Sequence, residues 1–235
     1  MKIKFLSAIA ALGLMLTVLS LPAKAVDLGL SIGVMGSMSK AKTTGTETET
    51  TGDEETTTTS FTEDIALPAG FVEINLDFEN GFGIALGGAA YPGTAEIGDK
   101  ARTDVDTVVS SDDDDGTYKA KAEVSNLMEI YLAPMFMIND NAGIFVKGGM
   151  ARIKVQTLEA IAFGEDSSTY GDETVNGTVW GAGIRLQSDS GIFMKAEYND
   201  VDFDTVTLTS STGNQNKIDA DPSLESVMFS VGYKF

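Results

Sequence analysis

Eight stretches of this chain alternate apolar with polar or small residues at a period of two, and the connections between them alternate long and short. That period belongs to a strand whose two faces meet different surroundings. In the first stretch Val26, Leu28, Leu30, Ile32, Val34 and Met38 share one parity, and Asp27, Gly29, Ser31, Gly33 and Ser37 share the other. In the second, Val72, Ile74, Leu76 and Phe78 oppose Glu73, Asn75, Asp77 and Glu79. Asn80-Gly81 follows, a pair suited to the positive φ angles of a tight hairpin. The return strand sets Phe82, Ile84, Leu86 and Ala90 against Gly83, Ala85, Gly87 and Ala89, a face small enough to admit large neighbours.

The pattern repeats downstream. Val124, Met128, Ile130, Leu132 and Phe136 oppose Glu123, Ser125, Glu129 and Tyr131, and a short turn at 139–143 follows. Ile144, Val146 and Met150 then alternate with Phe145, Lys147, Gly149 and Ala151, a stretch in which both parities carry apolar residues. Trp180, Ala182, Ile184 and Leu186 oppose Gly181, Gly183, Arg185 and Gln187. Past the turn Ser188–Gly191, Ile192, Met194, Ala196 and Tyr198 oppose Lys195, Glu197 and Asn199. Val227, Phe229, Val231, Tyr233 and Phe235 close the chain against Met228, Ser230, Gly232 and Lys234. Residues 41–64, 92–121, 157–176 and 200–224 are expected as long mobile loops, rich in Thr, Glu and Asp and holding most of the acidic residues.

Ahead of the first strand, Lys2 and Lys4 precede an apolar run from Phe5 to Leu21, and Ala23-Lys24-Ala25 fits a small-x-small cleavage site. This reads as an export signal at 1–25 with a mature chain from Val26; the competing reading, a membrane anchor, needs a longer apolar run. The 235 residues contain neither Cys nor His and carry a formal charge of −19. Disulfides, thiolate metal sites and His-dependent catalysis are thereby excluded, and nucleic acid is a poor partner for so acidic a chain.

An exported chain with large apolar residues on one face of every strand is expected to form an all-β, eight-stranded antiparallel up-and-down transmembrane barrel. It has four long extracellular loops, three short periplasmic turns and a polar, filled interior. A secreted sandwich or lipocalin-like barrel is the alternative, since alternation alone does not name the solvent on each face.

The closing strand, with Gly232, Tyr233 and a terminal Phe235, resembles the C-terminal signature of bacterial outer-membrane barrels. Together with Phe145–Ala151 and Met194–Tyr198, it makes the chain similar to the eight-stranded OmpA-type and opacity-type families. The resemblance implies that Gly232, Tyr233 and Phe235 are read by the barrel assembly machinery, and that outer-membrane lipid and lipopolysaccharide surround a monomer. The sequence stops at Phe235, so the peptidoglycan-binding domain of OmpA relatives is not expected. Enzymatic barrels of similar size use a histidine, and this chain has none.

Charges at inward parity are the candidate site residues. Lys147, Arg185 and Lys195 are expected to neutralise Asp77, Glu129 and Glu197, with Glu73 in reserve, because an unpaired charge inside a narrow barrel is costly. Such a network either holds the interior together or gates a narrow water path; catalysis by carboxylates requires a cleft that so small a barrel lacks. Asp112, Asp113, Asp114 and Asp115 form either a solvated charge run or a loose divalent-cation contact to lipopolysaccharide, without the spacing of a defined metal site. Trp180, Tyr198 and Tyr233 are expected at the lipid face. No cofactor is implied. The expected function is that of a small surface-exposed structural or interaction protein acting through acidic loops on an unnamed extracellular partner; the alternative is a narrow, low-conductance porin-like channel.

Overall fold

The computed structural model describes residues 26–48, 56–78, 80–104, 116–161, 170–211 and 217–235. Nine strands run in chain order through them: β1 (Val26–Thr48), β2 (Thr56–Phe78), β3 (Phe82–Asp104), β4 (Gly116–Asn139), β5 (Ala142–Ile161), β6 (Glu173–Gln187), β7 (Ile192–Phe203), β8 (Val206–Thr209) and β9 (Lys217–Lys234). Each pairs antiparallel with its neighbour, and β9 returns to β1 from Ser31↔Lys234 to Thr48↔Lys217, which closes the sheet. The short β8 continues the line of β7: β7 pairs with β9 as far as Asp202↔Ser223, and β8 resumes at Val206↔Ala220. The ring therefore has eight walls, as the sequence pattern implies.

Alternation becomes inside and outside. Leu28, Leu30, Ile32, Val34 and Met38 of β1 point outward, while Ser31, Ser37 and Ser39 are buried. Ten residue steps from Leu28 to Met38, at about 3.3 Å each and tilted by about 40°, span about 25 Å, the height of an outer-membrane apolar band. Below the band lie tight turns. Gly81 has φ +78 and donates its N–H to the Phe78 carbonyl at 3.1 Å; Gly191 has φ +89 and donates to the Ser188 carbonyl at 3.0 Å.

Three expectations are corrected above the band. First, the described parts of the segments expected as long mobile loops are largely strand. β1 and β2 stay paired to Thr48↔Thr56, and β3 and β4 to Asp104↔Gly116. Threonine favours an extended backbone, and cross-strand hydroxyl pairs such as Thr44–Ser60 at 3.1 Å and Thr46–Thr58 at 3.2 Å link the first hairpin. Second, the buried charges of the described interior are confined to membrane height. Above it Ile153, Val155, Val179, Val201, Phe203 and Leu224 are buried inside the ring, and Asp202 and Arg152 point out. Outside the bilayer the outer surface meets water, so apolar side chains gain by turning inward, as in a soluble protein.

Third, Val124 does not face lipid with Met128 and Ile130. The β4 register shifts between Ser125 and Met128, and Asn126 adopts φ +54. This bulge adds a residue and turns Val124 toward the interior cluster, while Leu127 and Glu129 remain inward.

Candidate functional site

Five strands deliver six charges to the lumen. Glu73 comes from β2, Glu129 from β4, Lys147 from β5, Arg185 from β6, and Lys195 and Glu197 from β7; all six are buried. Each occupies an inward parity whose neighbours are small, and the room is used. A Cβ on Gly87 would stand 2.4 Å from the Tyr131 ring, and one on Gly33 would stand 2.5 Å from the Phe71 ring.

Two linked groups result. In the lower one, Lys195 donates to Glu73 Oε1 at 2.6 Å, the Tyr131 hydroxyl donates to the same oxygen at 2.8 Å, and Arg185 Nη1 lies 3.9 Å from Glu73 Oε2. Arg185 also donates to Asn75 Oδ1 at 3.4 Å, and Asn75 donates to Ser31 at 2.7 Å. In the upper one, Lys147 bridges Glu129 at 3.2 Å and Glu197 at 3.0 Å, while the Tyr91 hydroxyl donates to Glu129 at 3.1 Å and Asn199 to Glu197 at 3.0 Å. Aromatic faces complete the shells of the cations. The Arg185 guanidinium sits 3.9 Å from the Phe193 ring centre, Lys195 4.3 Å from Phe71, and Lys147 4.9 Å from Tyr131.

Three carboxylates thus face three cations, and the level is formally neutral. Neutrality matters because a burial of unbalanced charge would outweigh the attraction within any one pair. The free space beside Glu73, Tyr131, Lys147, Arg185, Lys195 and Glu197 is about 10 Å³, at the margin of what a single water needs. Two polar atoms in the lower group, Glu73 Oε2 and Arg185 Nε, have no hydrogen-bond partner.

Asp77 departs from the pairing expected of it. It is half-buried at the rim on the side of the tight turns and pairs with Lys234 of the closing strand, not with an interior cation. Glu73, expected as a reserve, is the acceptor of the lower group. Lys234 was missed because its partner lies 157 residues away. Tyr91, Tyr131, Asn75 and Asn199 were missed as partners too; inward parity singles out the last three, and Tyr91 sits at the strand end one residue before the loop expected at 92–121. Asp112 to Asp115 lie outside the described residues, and no cluster of three or more potential ligands able to hold a metal occurs among those described. On the lipid face, the Trp180 and Tyr198 rings meet tilted with centres 6.0 Å apart and Tyr233 meets Phe235 edge-on at 4.8 Å; Tyr233 and Phe235 point out, and Gly232 leaves room for the Phe193 ring.

A closed antiparallel ring with an apolar belt outside and paired charges inside defines a transmembrane β-barrel. The chain belongs to the family described as outer membrane protein beta-barrel domain, whose model matches residues 11–235, and its place is the outer membrane. Among solved structures it is similar to Ail, the attachment invasion locus protein of Yersinia pestis, at 13% identity over 86% of this chain and 98% of that one, with a TM-score of 0.38. Neisserial surface protein A matches at 9% identity over 90% and 100%, TM-score 0.36. The N-terminal barrel of Pseudomonas aeruginosa OprF matches at 13% over 85% and 99%, TM-score 0.33. A comparison with curated proteins finds no match.

Proposed function

We propose that this protein is a non-conducting outer-membrane barrel that holds acidic hairpins above the bilayer as an interaction surface. The filled lumen carries the reading: about 10 Å³ beside the charges leaves no continuous water path, and apolar side chains cap that level from above. Such a lumen has no cleft for a substrate, so the carboxylates serve as structure and not as catalysts. The strands that continue past the apolar belt make the acidic hairpins a stiff platform, suited to a basic partner surface, with Asp112 to Asp115 in reserve for a divalent bridge to lipopolysaccharide. Residues 1–25 act as the export signal, and Gly232, Tyr233 and Phe235 as the assembly signal of a monomeric barrel.

Recordings from the purified barrel in a planar lipid bilayer test this. The expected trace shows no unitary conductance; regular open events overturn the reading. The narrow-channel alternative draws on the two unpartnered atoms, Glu73 Oε2 and Arg185 Nε, where partner exchange would admit water. That alternative requires Arg185→Ala to open a steady conductance, while the structural reading requires it to stay silent.

A further inference from the structure

The β2–β3 hydrogen-bond ladder is shorter than any other between the long walls of the barrel. Among the described residues the β2–β3 ladder stops at Gly70↔Ala90, although β2 runs on beside β1 to Thr56 and β3 beside β4 to Asp104. Both strands change character where they part. β2 carries Pro68 two residues past the last pair and β3 carries Pro92 two residues past it, both exposed. Proline has no N–H to leave unpaired, and this is why it is placed at sheet edges. Gly93, next to Pro92, has φ +115, and a Cβ there would meet nothing within 4 Å.

Behind the seam is the largely apolar upper lumen. A cavity of about 40 Å³ reaches both lips, touching Ile65 and Leu67 on β2 and Tyr91 and Gly93 on β3, with Leu127 among its other lining residues. The paired bulges at Tyr91/Thr94 and Ser125/Met128 lie at this height and bend the two strands that form one side of it.

The seam opens at the outer margin of the lipid-facing belt. Pro68 is paired with Gly36, one outward position below Met38, and Asp64, opposite Lys40, is the first outward charge on β2 above it. The cavity therefore lies behind a stretch of unpaired wall at the height of outward-facing Met38. We infer that the seam is a lateral portal, through which the end of an acyl chain of an outer-leaflet lipid enters the apolar chamber. The free volume admits a chain terminus and no more. This inference is independent of whether the lower lumen conducts.

Photolabelling tests it. The full barrel is reconstituted in phosphatidylethanolamine/phosphatidylglycerol vesicles containing a phospholipid with a diazirine at the end of one acyl chain, irradiated, and mapped by mass spectrometry. The expected adducts fall on interior Leu67, Tyr91 and Leu127 as well as on belt residues such as Leu30. The chain has no cysteine, so a Pro68→Cys/Pro92→Cys pair gives a clean staple across the lips. Oxidised, it should lose the interior adducts and keep those of the belt; reduced, it should regain them. Leu127→Trp, which fills the chamber and leaves the seam alone, should also lose them, with the heat-dependent gel shift showing that each variant is folded. Adducts confined to the belt in the unmodified barrel overturn the inference, as does interior labelling that survives both variants. Labelling by a free diazirine fatty acid added from solution, without labelling by the phospholipid, overturns the membrane as the source.

Discussion

Glu73→Gln isolates what the interior network is worth. The substitution keeps the shape and one acceptor oxygen but removes the charge that Lys195 approaches to 2.6 Å and Arg185 to 3.9 Å. Three cations then face two carboxylates in a space too small to hydrate them. Breaking a buried pair in this way costs about 3–5 kcal/mol, and the retained amide dipole places the expectation near the lower end. The comparison is Asp64→Asn, whose carboxylate lies 3.9 Å from Lys40 on the outer surface and is 86% exposed; an exposed pair is worth under about 1 kcal/mol. Urea unfolding in phospholipid vesicles, followed by the fluorescence of the single Trp180, reads both variants. The double variant Glu73→Gln/Lys195→Met restores two cations to two carboxylates and keeps an apolar chain against Phe71, so it should recover much of the loss. A Glu73→Gln barrel within about 1 kcal/mol of the parent, or a double variant no better than the single one, would refute charge balance as the principle of this interior.

Gly87→Val puts a side chain where the Tyr131 ring lies, 2.4 Å from a built Cβ, and overpacking of this kind should cost about 1–3 kcal/mol in the same unfolding assay. Asn126→Val forces a β-branched residue into φ +54 and should cost about 1–2 kcal/mol, while Asn126→Gly should stay near neutral; equal costs would mean that the bulge relaxes freely. The hydrogen bond from Lys154 holds the Asp172 carboxyl below its ordinary value near 3.8. With the folded value depressed, its contribution to order is present above the ordinary value and lost as pH falls through the lower folded one. Protection of the Glu173 amide, which opens β6 beside Asp172, relative to intrinsic exchange at each pH, should therefore hold above about pH 4 and fall below it, and Lys154→Met should move the Asp172 titration up toward the ordinary value.

Much of this architecture is legible in the residues, because period-two alternation survives in every strand. Asn80-Gly81 and Ser188–Gly191 announce their turns, and the small inward face of β3 announces large neighbours such as Tyr131. Val201–Phe203 and Val206–Leu208 each alternate, with a one-residue slip at Asp204-Thr205 between them, yet both are expected within a loop because acids and threonines make up half of the stretch. Its apolar face is also the opposite of what the lower strands use, with Val201, Phe203, Val206 and Leu208 inside.

Alternation along the chain therefore determined which residues share a face, how many walls the ring has and where the tight turns fall. The solvent on each face was decided by height relative to the bilayer, and the interior inverts from charged to apolar where lipid gives way to water. Parity was also local: one added residue at Asn126 turned Val124 from the lipid side to the lumen. The partners of Glu73 and Asp77 come from Lys195 and Lys234, 122 and 157 residues further along. Only closure of the ring brings such groups within hydrogen-bond reach, because a strand pattern fixes directions along itself and says nothing of what stands across the lumen.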